Sequence, residues 1–304
     1  MRRALAIAEE HYNPVHPDVA NRLANLAQLL QDTNRLSEAE SLMHRALAIS
    51  EDCYGPDHPR VANDLMNLAS LLRDTNRLSE AEPLMRRAIS IAEATYGADH
   101  PSVAMFLTNL SALLQDLNRS GEAEPMVRRA LAIAEETDGP DHPNVATDLF
   151  VLATLLVAMQ RPTEAEPLWR RALEIDEASY GPEHPVLARD LAGLADLLQA
   201  TDRSAEAEPL LERALAICEM ARGPHHPDVA RLLTSMALLL KATNRLLEAE
   251  PLMRRALVIF VRSARDGGFP DPYLEPARLK YRELLLAMGR PAAQADAALR
   301  EIAP

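Results

Sequence analysis

An all-α solenoid of antiparallel helix pairs is the fold class this sequence predicts, and three observations predict it. His-Pro occurs at 16, 58, 100, 142, 184 and 226, each step 42 residues with no insertion or deletion. Arg35, Arg77, Arg119, Arg161, Arg203 and Arg245 keep the same step, as do Glu-Ala-Glu triplets beginning at Glu38, Glu80, Glu122, Glu164, Glu206 and Glu248. Alanine and leucine dominate an apolar content of 48%, whereas aromatics are only 4%, a balance that suits close-packed helices better than a β-sandwich. A unit repeated in register cannot bury its apolar face alone and must stack on its neighbours.

Each unit carries two helical patterns. In the second copy Val61, Ala62, Leu65, Leu68, Ala69 and Leu72 recur at three- and four-residue steps, which predicts a first helix, A, from about Pro59 to Thr75. Ala81, Leu84, Met85, Ala88, Ile91 and Ala92 predict a second, B, ending near Tyr96. Asn34, Asn76, Asn118 and Asn244 follow helix A, where asparagine tolerates the left-handed conformation that ends helices. Ser79 with Glu82, Ser37 with Glu40, and Thr163 with Glu166 have the spacing of a reciprocal capping box at the start of helix B. Pro83, Pro125, Pro167, Pro209 and Pro251 should distort that start slightly. Trp169 falls at the position of Met85 and is expected in the core.

The stretch YGPDHPRVA, residues 54 to 62, sets an aspartate beside a histidine and invites a chemical reading. Its recurrence argues otherwise. Gly55 ends one helix, Pro59 suits the first turn of the next, and Asp57 and His58 occupy the cap region between them. A ladder of one histidine per repeat cannot converge on one metal ion.

Segments such as HPDVANRLANLA at 16–27 and the EAEPLMRRAL-type stretches at 80–89 and 248–257 resemble the tetratricopeptide repeat, in the longer form typical of kinesin light chains and many bacterial proteins. The resemblance covers residues 1 to about 264. It departs at the A–B turn, where Asn76-Arg77-Leu78 stands in place of a glycine and an aromatic. The resemblance implies a right-handed superhelix whose A helices line a concave groove. It makes the whole chain, 1–304, one array: a partial helix B at 1–12, six repeats over 16–264, and an irregular loop with a degenerate helix pair as a C-terminal cap over 265–304. Met1 aligns with Met85, so Leu5 and Ile7 begin an uncapped N-terminal edge open to self-association.

The resemblance implies a protein–protein interaction scaffold that holds a peptide segment of a partner in that groove. Two helix-A positions four residues apart present the candidates. One reads Asn25, Asn67, Asn109, Val151, Gly193 and Ser235; the other Asn21, Asn63, Met105, Thr147, Arg189 and Arg231. A carboxamide both donates and accepts, so it can grip a peptide backbone. Asp32, Asp74 and Asp116 stand near the ends of their A helices. Met66, Met105, Phe106 and Phe150 offer an apolar region between the asparagines and Arg189 and Arg231, whose planar forks suit a carboxylate. The competing reading is a sensor or self-assembly arm of a larger protein whose effector domain lies upstream of residue 1.

Several function classes are disfavoured. A net charge of −13 without a basic face is wrong for nucleic acid. No run of 18 apolar residues is present to span a membrane. Cys53 and Cys218 lack metal or disulfide spacing, and the start is not a secretory signal, which together point to the cytoplasm. Arginines far outnumber Lys241 and Lys280, the only lysines, as in a GC-rich bacterial coding sequence. No nucleophile elbow, phosphate loop or HExxH motif occurs, so neither catalysis nor a cofactor is expected.

Overall fold

The computed structural model of the chain describes residues 15–32, 35–267 and 273–302. Among these residues there are fourteen α-helices and no strand: α1 Pro17–Asp32, α2 Leu36–Tyr54, α3 Pro59–Asp74, α4 Leu78–Tyr96, α5 Pro101–Asp116, α6 Ser120–Thr137, α7 Pro143–Ala158, α8 Pro162–Tyr180, α9 Pro185–Ala200, α10 Ser204–Arg222, α11 Pro227–Ala242, α12 Leu246–Gly267, α13 Leu274–Ala287 and α14 Ala292–Ile302. The partial helix expected at 1–12, and the self-association edge with it, lie outside the described residues, as do Asn34 and the side chain of Asp32. The chain divides into two compact units, Met1–Gln160 and Arg161–Pro304.

In the first unit α1 packs on α2, α3 on α4 and α5 on α6, and each B helix also touches the A helix of the following pair. Ala39, Ala81 and Ala123 on the B helices are fully buried, and so are Val19, Val61, Val103 and Val145 on the A helices. The small B-helix side chains let the helix backbones come close, and the leucines of helix A fill what remains. Each fully buried leucine contributes about 1.5–3 kcal/mol by leaving water. In the second unit α9 packs on α10, α11 on α12 and α13 on α14, around Ala165, Ala207 and Ala249.

The turns explain why the period never slips. Asn76 has φ +59°, its N–H bonds the Arg73 carbonyl at 2.9 Å, and the Arg77 N–H reaches the Leu72 carbonyl at 2.8 Å. This pair of bonds is a Schellman motif, which satisfies carbonyls that helix A leaves open. Asn118 and Asn244 repeat it, and Gln160 and Asp202 also take the left-handed conformation. The turn is so tight that the residue after the left-handed one is already the cap of helix B. The capping box is therefore absent. Arg77 is the N-cap of α4 and makes no side-chain cap bond, and Ser79 lies inside the helix. Arg77 instead binds Glu80 in its own first turn and Glu40 of the preceding repeat at 2.5 Å. Arg119 does the same with Glu122 and Glu82, and in the second unit Arg203 with Glu206 and Glu166 and Arg245 with Glu248 and Glu208. Helix α4 runs unbroken across Pro83. The i, i+4 pairs Glu82–Arg86, Glu124–Arg128 and Glu166–Arg170 all form.

The B–A turns use histidine as the cap. Nδ1 of His58 accepts the Arg60 N–H at 3.2 Å, and His16, His100, His142, His184 and His226 each accept the N–H two residues on. Tyr54, Tyr96 and Tyr180, at the ends of their B helices, stack on His58, His100 and His184 with ring centroids 4.5–4.6 Å apart. The histidine ladder is helix punctuation, and it is the histidine, not Asp57, that supplies the side-chain cap of α3.

Trp169 is 4% exposed and fills the core of the second unit. A Cβ on Gly193 would come within 2.9 Å of its indole ring. Gly193 is thus a glycine because Trp169 occupies the space where other repeats carry a side chain.

Two predictions follow from the packing. Asn76→Ala should cost about 1 kcal/mol, because alanine pays for the left-handed conformation, whereas Asn76→Gly should not destabilise; urea denaturation midpoints check this. Gly193→Ala should lower stability by about 1–3 kcal/mol through overpacking, against its helix-favouring tendency. Adding Trp169→Leu should cancel most of that loss in a double-mutant cycle.

Candidate functional site

The candidate site is built on the A helices of the first unit. Helices α3 and α5 each bury one side against their own B helix and another against the preceding one, and α1 buries a side against α2. What stays open is a narrow strip in which residues four apart stand in line. Asn21 and Asn25 on α1 and Asn63 and Asn67 on α3 occupy that strip and together line a cavity of about 530 Å³, with Arg60 and Tyr96 at its side. None of these four amides makes a side-chain hydrogen bond among the described residues, nor does Asn109 on α5. Asn109 and Met105 line a neighbouring cavity of about 380 Å³ between α5 and α7.

The expected apolar region is smaller than the sequence implied. Phe106 and Met66 are buried in the core. Each directly follows or precedes a strip residue, and one step along a helix turns the side chain by about 100°, into the neighbouring helix. Phe150 is half-buried and lines neither cavity. Met105 alone of the four is open, at 52% exposure. Asp74 and Asp116 join successive A helices: Gln31 donates to Asp74, and Arg73 donates to Asp116 at 2.5 Å.

Beside the strip lies a set of carboxylates that the sequence reading missed. Asp64, Asp148 and Asp190 occupy one repeat position, where Phe106 and Leu232 stand in other copies. Asp64 accepts from the Ser50 hydroxyl at 2.5 Å, and burial raises its pKa against that bond and the Arg60 charge. Asp148 is 6% exposed; its Oδ1 accepts from the Thr108 hydroxyl at 2.7 Å. Burial pushes the Asp148 carboxyl up to about 6, with the Thr108 bond opposing and the Asp138 charge assisting. The signal was the recurring Asp-Leu at 64–65, 148–149 and 190–191, an acid set one residue before a core leucine.

In the second unit the two predicted arginines already hold carboxylates. Arg189 bonds Asp190 at 2.8 Å and reaches Asp176 at 3.5 Å, and both of these acids are buried. It is turned toward the chain's own charges because two buried acids without a cation would be costly. Arg231 bonds Asp228 at 3.1 Å, lies over the Tyr273 ring at 5.5 Å, and lines a cavity of about 170 Å³ with Ser235, Phe260 and Lys280. Burial raises the Asp190 pKa well above the usual carboxylate range; Arg189 opposes this, and the shared hydrogen bond and charge of Asp176 add to it. A raised folded-state pKa gives stability that is fully present below the unfolded value and lost as pH rises through the folded one. Asp190→Asn should therefore raise the thermal midpoint at pH 8 and have little effect at pH 4, flattening the profile between; thermal melts across that range check it.

Among the described residues no group of three or more His, Cys, Asp or Glu is placed to hold a metal ion, and no helix is long and apolar enough to cross a membrane. The strip of exposed amides with adjoining cavities is suited to noncovalent recognition.

No curated protein sequence matches the chain. Among solved structures, the TPR-like repeats of a kinesin light chain from Podosopora anserina are 25% identical, with a TM-score of 0.57 over 68% of this chain and 99% of that one. BtubC (BKLC) from P. vanneervenii is 23% identical, with a TM-score of 0.60 over 80% of this chain and 94% of that one, a likeness of fold. The sequence profile of the tetratricopeptide repeat matches at residues 25–94, 65–136, 102–168, 151–219 and 191–260, and such repeats generally mediate protein–protein interaction. The chain belongs to the tetratricopeptide repeat family.

Proposed function

We propose that the chain binds a peptide segment of a partner protein along the helix-A strip of its first unit. The observation that carries this reading is the gathering of Asn21, Asn25, Asn63 and Asn67 around one open cavity with no side-chain hydrogen bonds of their own among the described residues. An exposed amide on a rigid helix loses little conformational freedom on binding, and its paired donor and acceptor match the N–H and C=O of an extended backbone. Backbone capture of this kind is tolerant of sequence, so discrimination falls to the side-chain cavities beside the strip. The arginines of the second unit are not needed for it, since their guanidinium groups already face Asp176, Asp190 and Asp228.

The experiment is a random-peptide display selection on the full chain, followed by titration of the selected peptides. Asn67→Ala should weaken them by about 1 kcal/mol, roughly fivefold, without reordering their preference. A change on the outer face of the B helices, such as Arg86→Ala, should leave affinity unaltered. The opposite pattern would place recognition on the outer face and overturn the reading.

A further inference from the structure

The cavity between α5 and α7 differs from the asparagine cavity beside it in a way that points to a particular guest. Two residues that break the repeat, Met105 and Asp138, join the recurring Asp148 to make it. Where α2, α4 and α8 end on a tyrosine that stacks on the next histidine, α6 is followed by Asp138, so a carboxylate replaces an aromatic ring. Asp138 accepts from the Asn144 amide at 2.8 Å and stands at the mouth of the cavity. Asp148 lies deeper, more than nine-tenths buried, with Oδ1 held by Thr108. Its Oδ2 takes no hydrogen bond among the described residues. Met105, Ala104 and Ala134 give the cavity an apolar wall, and no lysine or arginine is among its lining residues.

A buried carboxylate is costly unless paired, and this one has a hydroxyl but no cation. An apolar wall leading to such a carboxylate matches a side chain with an aliphatic stem and a positive head. The chain's net charge of −13 favours the approach of a cation. We propose that this cavity receives a lysine side chain of the bound peptide, with the stem along Met105 and the ammonium on Asp148 and Thr108. The proposal rests on the peptide reading above and adds to it the residue that the strip alone does not select.

Among the described residues, the titratable group whose charge acts on Asp148 is Asp138. Asp138 comes from the end of α6 and His142 caps α7, with its Nδ1 3.7 Å from Asp138; from α5 only Thr108 faces the carboxylate. The cation needs Asp148 ionised. Because burial holds that carboxyl at about 6, affinity should fall about tenfold between pH 7.5 and pH 5.

The probe is n-butylammonium, with n-butanol as its neutral counterpart, titrated into the full chain while the Met105 methyl resonance is followed by NMR. Saturable shifts with the ammonium and not the alcohol are expected, about tenfold weaker in Asp148→Asn, two- to threefold weaker in Asp138→Asn, and with the pH dependence flattened in Asp148→Asn. Asparagine keeps an acceptor for Thr108, and the pH profile of the native chain requires no variant. Equal response to the alcohol, or an unchanged response in Asp148→Asn, would overturn the assignment. Peptides selected on the chain separate this idea from its parent. Asn67-dependent peptides that bind equally well with lysine replaced by norleucine remove the lysine subsite and keep the strip. Ammonium binding that no selected peptide displaces removes the peptide reading and keeps the cation cavity.

Discussion

A helix pair of this length has an apolar face that its own two helices cannot cover, and the next pair must cover it. Every other feature of the molecule serves that stacking. The fully buried alanines of the B helices, from Ala39 to Ala249, let the helices approach until leucines of the A helices interlock. Because the contact repeats, a slip of one residue in one turn would move a whole apolar stripe out of register. The turns are accordingly the most stringently repeated part of the chain. One kind is closed by a left-handed residue and a Schellman pair, the other by a histidine whose imidazole caps the helix it precedes.

The charges repeat for the same reason. Arg77, Arg119, Arg203 and Arg245 each hold a glutamate in their own helix and another from the preceding repeat. Arg87, Arg129, Arg213 and Arg255 tie a B helix to the preceding one, and also bond a carbonyl in the B–A turn. Such pairs are exposed, and singly each is worth little. Together they fix the rotation of one B helix on the next, a matter of register more than of strength. They engage many of the arginines, and no lysine or arginine lines the acidic cavity around Asp148.

Departures from the repeat are where individuality enters. Trp169 enlarges a core position and forces a glycine at 193. Asp176 joins Asp190, and Arg189 turns inward to meet them both. Asp138 replaces a tyrosine and opens an acidic mouth. A repeated scaffold offers the same backbone many times over; the residues that differ give each stretch its own surface.

By itself, the sequence determined the fold class, the helix boundaries to within a residue or two, the family, and which asparagines stand in line. These follow from periodicity and from backbone preferences of Asn, Gly and Pro, which act locally and so are legible in one dimension. Tertiary structure decided how side chains pair across repeats. The capping box between Ser79 and Glu82 was a sound local expectation, but the turn shortened by one residue and the glutamates were taken by arginines 37 positions away in sequence, as Glu40 is by Arg77. Arg189 and Arg231 looked like open forks until their neighbours Asp176 and Asp228 came into reach. Asp148 went unread in the sequence, because only the packing of α7 against α6 and α5 buries it. Burial and pairing depend on what folds up against a residue, and that is set by the three-dimensional stack.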